Sequence, residues 1–205
     1  MSGSYVATGL DLTGQYNIGH ISNTITFNSA LKGATFGNGH WASFPSSAAS
    51  ILTGANDFSF VYSMLYNGSV TSFPMASNYE PSHGSHVVLL RHNVGLPAIM
   101  DFSTPGKQTI WSSPNLISGQ RYTWIVVYDS VTKMPELYAD NASTPATKTQ
   151  IHDHTGTWPT SIYSIHDAYG FVTEPSVTLH GFALYQSKLT EAQRQGIFDY
   201  FALNA

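Results

Sequence analysis

Hydrophobic and polar residues alternate along much of the chain, and a period of two residues is typical of β-strands. The clearest example is the segment 57–66, Asp-Phe-Ser-Phe-Val-Tyr-Ser-Met-Leu-Tyr. One face carries its large apolar residues, which are Phe58, Phe60, Tyr62, Met64 and Tyr66. The other face is mixed and carries Ser59, Val61, Ser63 and Leu65. The pattern predicts a strand with one strongly apolar face, ending at the turn-forming pair Asn67-Gly68.

A second segment, residues 121–128, is apolar on both faces. Trp124 and Val126 fall on one face, and Ile125 and Val127 fall on the other. A strand that is apolar on both sides is covered on both sides. The segment is therefore predicted to be a central strand, with Trp124 in the core.

Six further segments have strand character, separated by turn-forming residues. They are 21–27, 86–91, 97–102, 135–140, 161–165 and 177–185. The turns between them are predicted at 93–95, 105–106, 118–119 and 140–141. Short strands at this spacing are typical of an all-β sandwich or barrel.

One segment near the end of the chain has helical periodicity instead. Thr190-Glu191-Ala192-Gln193 is a capping box, in which Thr190 and Gln193 bond each other's free backbone amides. Ile197, Phe198 and Phe201 follow at helical spacing. A short amphipathic helix at about 190–202 is predicted to dock its apolar side on the sandwich. Residues 1–20, rich in Gly, Ser and Thr, are predicted to be an arm or edge strand, and residues 21–205 a single domain.

Composition excludes several functional classes. The chain has a net charge of -4 and only 8 Lys and Arg residues, too few for a phosphate-binding nucleic-acid surface or an electrostatic membrane contact. No apolar run approaches the roughly 20 residues that span a bilayer. The first residues have neither the basic region nor the apolar stretch of a signal peptide. The absence of cysteine excludes a disulfide scaffold and thiolate catalysis.

The order of these segments resembles the laminin-G-like, or concanavalin A-like, jelly-roll family. The similarity lies in residues 33–45, in Phe58-Ser59-Phe60, in residues 122–129 and in residues 136–140. Residues 180–185 followed by 188–193 are similar to the family's closing strand and helix, with Gln193 where Glu is commoner. The resemblance implies an antiparallel jelly-roll β-sandwich with a short C-terminal helix. Lectins, adhesion modules, glycosidases and structural proteins share this fold, so function has to be argued from a site.

A catalytic site is the less favoured interpretation. A glycosidase needs two carboxylates facing one cleft, and related glucanases carry them as Glu-x-Asp-x-x-Glu, which is absent here. Gln150-Ile151-His152 matches a tripeptide of jelly-roll alginate lyases, but the family's partner strands are missing. A polysaccharide lyase or glycosidase is retained only as an alternative.

Histidine clusters suggest a metal site, although no cofactor is required by the sequence. His83 and His86 form one cluster, and His152, His154 and His166 form another. His152 and His154 share a face if the chain is extended there, as two zinc ligands require. Calcium held by loop Asp residues and carbonyls is the second possibility. The alternative is that these are polar loop residues.

Sugar binding needs aromatic faces that stack on the ring and short polar groups that bond its hydroxyls. The segment 152–169 supplies both. The predicted ligand-binding residues are Trp158, Tyr163, Tyr169, His152 and Asp167, with Trp111 as a second loop-edge aromatic. Pro159 places Trp158 at a loop or strand end. The alternative is that Trp158 and Trp111 cap the sandwich, as Trp41 and Trp124 are expected to lie in the core.

The sequence therefore predicts a non-catalytic glycan-binding or adhesion module. The polar, cysteine-free composition further predicts a surface component of a virus or phage particle, such as a receptor-binding fibre or a capsid decoration. A purely structural assembly protein is the alternative. The expected partners are a surface glycan or polysaccharide, other structural proteins and further copies of the chain. The expected location is extracellular or on a virion surface.

Overall fold

The computed structural model describes residues 20–22, 26–28, 30, 32–36, 41–43, 56–67, 72–80, 85–93, 96–101, 107–112, 116–150, 164–165 and 177–204. Within these residues the chain forms fourteen strands and a C-terminal helix, Glu191–Asn204. The strands are β1 His20–Ser22, β2 Thr26–Asn28, β3 Gly33–Phe36, β4 Trp41–Ser43, β5 Phe58–Tyr66, β6 Ser72–Glu80, β7 Ser85–Asn93, β8 Leu96–Asp101, β9 Lys107–Trp111, β10 Gln120–Asp129, β11 Met134–Ala139, β12 Lys148–Gln150, β13 Ser164–Ile165 and β14 Val177–Tyr185.

The described strands pair into two antiparallel sheets, which confirms the predicted β-sandwich. The six-stranded sheet has the order β11-β10-β5-β14-β3-β2, and the eight-stranded sheet has the order β1-β4-β13-β6-β7-β8-β9-β12. Strand β10 lies between β11 and β5, so the prediction that it is central is confirmed. Neighbours in the sheets are often distant in sequence, as with β5 and β14.

The main core lies between the two sheets and is largely aromatic. Phe58, Phe60, Tyr62 and Met64 of β5 pack there with Trp124 of β10. Trp111 of β9 reaches the same core from the eight-stranded sheet. Phe58 stacks on Tyr128 with ring centroids 4.9 Å apart. Alternation along β5 and β10 thus places one side of each strand in this core.

A second core covers the opposite face of the six-stranded sheet. Val61, Ile125 and Val127 lie under Phe198 of the C-terminal helix, and Ile197 and Phe201 pack at the edge of this cluster. The predicted docking of the helix is therefore confirmed. The helix also explains why residues 121–128 are apolar on both faces, because each face has its own apolar cover.

The mixed face of β5 is buried as well, and its serines are satisfied internally. All nine residues of β5 are buried. Ser59 Oγ donates to the Ser187 carbonyl at 2.9 Å and accepts from the Leu189 amide at 3.0 Å. Ser59 thereby fixes the segment that leads into the helix. The strand has the strongly apolar face that its alternation predicts, and a helix distant in sequence covers part of its mixed face.

The helix begins with the predicted capping box. The Thr190 amide donates to Gln193 Oε1 at 2.9 Å, and the Gln193 amide donates to Thr190 Oγ1 at 3.3 Å. Further along, the helix crosses β14 very closely. A Cβ atom built on Gly181 would clash with the ring of Phe201, so a larger residue there requires Phe201 or the helix to shift.

Some strand boundaries differ from the sequence prediction. The segment 21–27 contains parts of two strands, β1 and β2, that belong to different sheets. Strands β6, β9 and β12 were not predicted, because they are polar or short; β6 also contains Pro74 and pairs with β7 through register shifts. Of the predicted strand 161–165, only residues 164–165 are described. The predicted arm lies outside the described residues up to position 19.

Two predicted turns are present with the expected backbone geometry. Gly119 has a φ of 84°, and the Gln120 amide donates to the Ile117 carbonyl at 3.1 Å. Asp140 and Asn141 have φ values of 48° and 70°, and the Ala142 amide donates to the Ala139 carbonyl at 3.1 Å. Gly, Asp and Asn tolerate this left-handed region best.

In the described part of the chain, no helix has the length and apolarity needed to cross a membrane.

Candidate functional site

Trp111 is a core residue and not a stacking platform. Its side chain is 0% exposed and belongs to the core between the sheets. A sugar ring stacks only on an aromatic face that solvent can reach. The prediction of Trp111 as a ligand-binding residue is therefore corrected, and its alternative as a buried cap is the one that the structure supports. Trp124, 1% exposed, is in the core as predicted.

The other predicted ligand-binding residues lie outside the described residues. These are His152, Trp158, Tyr163, Asp167 and Tyr169, together with His154 and His166 as metal candidates. The topology nevertheless fixes where their segments attach. Residues 151–163 join β12, at one edge of the eight-stranded sheet, to β13, which lies between β4 and β6. Residues 166–176 then join β13 to β14 of the six-stranded sheet. Both predicted binding segments therefore meet at β13.

Strand β14 begins at an end of the sandwich where several polar turns converge. We call this the Asn67 end, because Asn67 follows β5 there. The Gly119 amide donates to the Tyr66 carbonyl at 2.7 Å, which ties the turn before β10 to this end. The Thr123 amide donates to Asp140 Oδ1 at 2.7 Å, which ties the turn after β11 to β10. The scaffold at this end is thus held by short hydrogen bonds.

A polar patch lies on the outer face of the six-stranded sheet near the Asn67 end. Cross-strand pairing places Arg121, Leu65, Thr178 and Thr35 in one row over four strands. The hydroxyls of Thr35 and Thr178 are 3.1 Å apart, and Asn67 Nδ2 donates to Thr178 Oγ1 at 3.4 Å. These groups are short and held by the sheet. They have the hydrogen-bonding capacity that a polar ligand needs.

His180 completes this patch, and we call the whole the Arg121–His180 patch. A register shift between Leu179 and Gly181 leaves His180 as the extra residue of a β-bulge. Both ring nitrogens are shielded from solvent, and neither forms a hydrogen bond. Burial lowers the pKa of His180, and Arg121 lowers it further. The backbone of Lys32 lies near the ring and partly offsets this by raising the pKa of His180. Its geometry does not meet the criteria of a hydrogen bond to either ring nitrogen.

The opposite end of the six-stranded sheet carries a charged cluster. Lys188 Nζ lies 2.7 Å from Asp129 Oδ2 and 3.7 Å from Asp57 Oδ2. Asp57 Oδ1 accepts from the Ser130 amide and hydroxyl at 2.8 and 2.7 Å, and Asp129 Oδ1 accepts from the Val131 amide at 2.8 Å. The hydrogen bond from Lys188 lowers the pKa of Asp129 to about 2, and the Ser130 hydrogen bonds lower that of Asp57. This cluster joins a hairpin to the segment that precedes the helix.

The charged cluster does not fit the carboxylate pair of a glycosidase. Such a pair needs one carboxyl group that stays protonated, and hence a raised pKa. Both Asp57 and Asp129 have a lowered pKa.

Tyr138 lies under the C-terminal helix and forms a separate polar group. Burial raises the pKa of Tyr138 to about 12, and its hydroxyl donates to Glu136 Oε2 at 2.8 Å. Arg194 covers the Tyr138 ring with its guanidinium carbon 3.8 Å from the centroid, so this group also anchors the helix.

Metal ligation is not assembled in the described part of the chain. Among those residues, no group of three or more His, Asp and Glu side chains is placed to hold an ion. The predicted histidine ligands His152, His154 and His166 belong to positions outside it.

Comparisons with known proteins place the fold. No family model matches the chain, and no curated protein matches its sequence. The structure is similar to the receptor-binding domain of the botulinum neurotoxin C/D mosaic serotype, with a TM-score of 0.68 and 10% identity over 92% of this chain and 48% of that one. It is similar to botulinum neurotoxin type C, whose cell entry depends on interaction with two ganglioside molecules, with a TM-score of 0.67 and 11% identity over 92% and 47%.

A second group of similar structures consists of sialidases. Trypanosoma rangeli sialidase in complex with sialic acid has a TM-score of 0.60 and 15% identity, over 93% of this chain and 30% of that one. The chain thus spans between 30% and 48% of the length of these proteins. At such identities the similarity concerns the fold alone. The fold class is an antiparallel β-sandwich with a C-terminal helix, as predicted.

Proposed function

We propose that this protein is a carbohydrate-binding module on a jelly-roll sandwich of the laminin-G-like or concanavalin A-like kind. The observation that carries the proposal is the similarity of fold, over 92% of the chain, to a toxin whose cell entry depends on interaction with two ganglioside molecules. The sequence adds the aromatic and polar segment 152–169. Stacking of sugar rings on exposed aromatic faces is the binding mode that such residues favour.

The proposed ligand residues are Trp158, Tyr163 and Tyr169 as stacking surfaces, with His152 and Asp167 as polar partners. Their segments flank β13 and so attach to the scaffold at one strand. Trp111 is left out, because its side chain is fully buried.

A glycan array with microbial and host glycans tests the proposal. We expect selective binding, and we expect Trp158→Ala to abolish it while the melting temperature stays within experimental error. Tyr200→Ala is the matched control, because Tyr200 is an aromatic residue of the helix that is 56% exposed. A large fall in melting temperature for Trp158→Ala would assign Trp158 to the core, and an array without signal would contradict the function.

The same array with EDTA tests a metal. Zinc or calcium bound through His152, His154 or His166, or through loop carboxylates, would make binding sensitive to the chelator. Binding that is unchanged by EDTA would show that recognition needs no ion.

We further propose that the module is displayed on the outside of a particle such as a virion or phage. The composition fits such a setting, since it is poor in charged residues, at 10%, and rich in Ser, Thr and Gly. An assembly protein should elute as a defined oligomer that changes when residues 1–20 are removed. A monomer that is indifferent to this deletion would contradict the particle role and leave glycan binding intact.

An enzyme remains the second candidate, because sialidases are among the similar structures. Incubation with a broad polysaccharide panel would reveal it through shortened or unsaturated products. We expect no product, since neither carboxylate of the charged cluster, Asp57 or Asp129, has the raised pKa of a general acid.

A further inference from the structure

The outer face of the six-stranded sheet carries a group that its own fold does not satisfy. His180 is the extra residue of the bulge in β14, with both ring nitrogens buried and without hydrogen bonds. Leaving buried polar atoms without partners destabilises a fold, and such groups in native proteins usually have a reason. Bulges are common next to binding sites, because they turn a side chain away from the regular ladder.

Arg121 is the charged residue that acts on His180. Arg121 is exposed and, within the described residues, forms no ion pair or hydrogen bond through its side chain. Ala34 pairs with Leu179, so Lys32 precedes the residues that lie beside His180. The chain as a whole has a net charge of -4. The positive charge of Arg121 near an imidazole is therefore a local exception, and it favours an anion.

The remaining groups of the patch are neutral and hydroxyl-bearing. Thr35 is partly exposed and Asn67 is exposed, and both contact Thr178. An arginine guanidinium matches a carboxylate in a two-point geometry. Hydroxyl and amide side chains match the hydroxyls of a sugar. Together these groups fit a ligand with one carboxylate and several hydroxyls.

We propose that the Arg121–His180 patch binds the carboxylate of an acidic sugar, with Arg121 as its ionic partner and His180 as a second donor. Rotation of the imidazole about χ2 exchanges Nδ1 with Cδ2, so a nitrogen can turn toward the ligand without movement of the backbone. Thr35 and Asn67 face the sugar hydroxyls. This inference deepens the proposed function, since it names uronic or sialic acids as the glycan class that this face selects.

The test uses the full chain labelled with ¹⁵N, with the His180 ring signals assigned by comparison with His180→Gln. Glucuronate, glucose and inorganic sulfate are titrated separately. Glucuronate should shift the His180 signals with saturation, whereas glucose should not. Arg121→Gln should weaken glucuronate binding by about tenfold or more, the effect of losing a charged hydrogen bond. Lys148→Gln, on the far edge strand β12, removes the same charge and should leave binding unchanged.

Three outcomes would overturn the inference. They are the absence of a saturating shift with glucuronate, equal affinity for sulfate and glucuronate, and full binding by the Arg121→Gln variant. The equal affinity would reveal a general anion site without sugar recognition. Failure here is distinct from failure of the proposed function, because neutral glycans on the array report on Trp158 and not on Arg121. Arg121 is exposed, so its replacement is expected to leave the melting temperature unchanged.

Discussion

At the scale of the residue, the four tryptophans illustrate how burial decides a role. Trp111 and Trp124 are 0% and 1% exposed, and both belong to the core between the sheets. Trp158 carries the proposed ligand contact, and Trp41 is predicted to lie in the core. Replacement of Trp111 is therefore expected to lower stability, whereas replacement of Trp158 is expected to lower ligand binding.

Replacement of Trp111 should destabilise the fold. Trp111→Ala removes a fully buried side chain, and we expect the free energy of unfolding to fall by about 3–5 kcal/mol. Urea unfolding followed by circular dichroism measures this change. A loss of stability below about 1 kcal/mol would indicate that the Trp111 side chain is exposed and not in the core. Trp111 would then again be a candidate for ligand contact.

The carboxyl groups of the charged cluster give the fold a dependence on acid pH. The pKa of Asp129 is lowered from 3.8 to about 2, and that of Asp57 is lowered as well. A lowered pKa in the folded state adds stability above the unfolded value, and this stability is lost as pH falls through the folded value. We expect the melting temperature to decline between pH 4 and pH 2. The decline should be shallower in Asp129→Asn, and an equal slope in both proteins would contradict the assignment.

At the scale of the element, the C-terminal helix depends on one close crossing. Gly181 faces Phe201 at a distance that leaves no room for a Cβ atom. Gly196 is also a glycine of this region, but nothing lies within 4 Å of a Cβ built there. The two glycines form a matched pair for testing how the helix docks.

Gly181→Ala should destabilise the protein by about 1–3 kcal/mol, because the helix must shift or Phe201 must leave its position. Gly196→Ala should instead stabilise it by about 0.5–1 kcal/mol, since alanine favours the helix interior and meets no neighbour. Chemical unfolding of the two variants beside the parent measures both effects. Equal changes in the same direction would contradict the observed crossing.

Several elements could be predicted from local sequence alone. The capping box at Thr190 and the apolar spacing of Ile197, Phe198 and Phe201 are local signals, and the helix forms where they indicate. Strand β10 was predicted as central because both of its faces are apolar. Strand β6 was missed, since its residues show no regular alternation, it contains Pro74 and its pairing with β7 has register shifts.

At the scale of the whole molecule, one core joins the two sheets. Trp111 of the eight-stranded sheet packs in the same cluster as Phe58 and Trp124 of the six-stranded sheet. Neither sheet can therefore bury its inner face without the other. This mutual dependence makes the sandwich one cooperative unit.

Unfolding should accordingly occur in a single transition. Tryptophan fluorescence and far-UV circular dichroism should report the same urea midpoint, because the indoles of both sheets lie in one core. Phe198→Ala should shift both curves together, since Phe198 closes the second core on the same central strands. Two separate midpoints would show that the sheets unfold independently.

Local sequence patterns are enough to predict the strand-rich class, the two-sided burial of β10, the turns at 118–119 and 140–141 and the capped helix. These features depend on alternation, turn residues and caps, which act within a few residues. The folded structure was needed to show that Trp111 is buried, that the segment 21–27 is divided between two sheets and that both faces of β5 are covered. It also placed His180 and Arg121 on β14 and β10, the two strands that flank β5. The reason is that these contacts join residues far apart in the chain. Local sequence patterns do not indicate which distant element will pack on a given face.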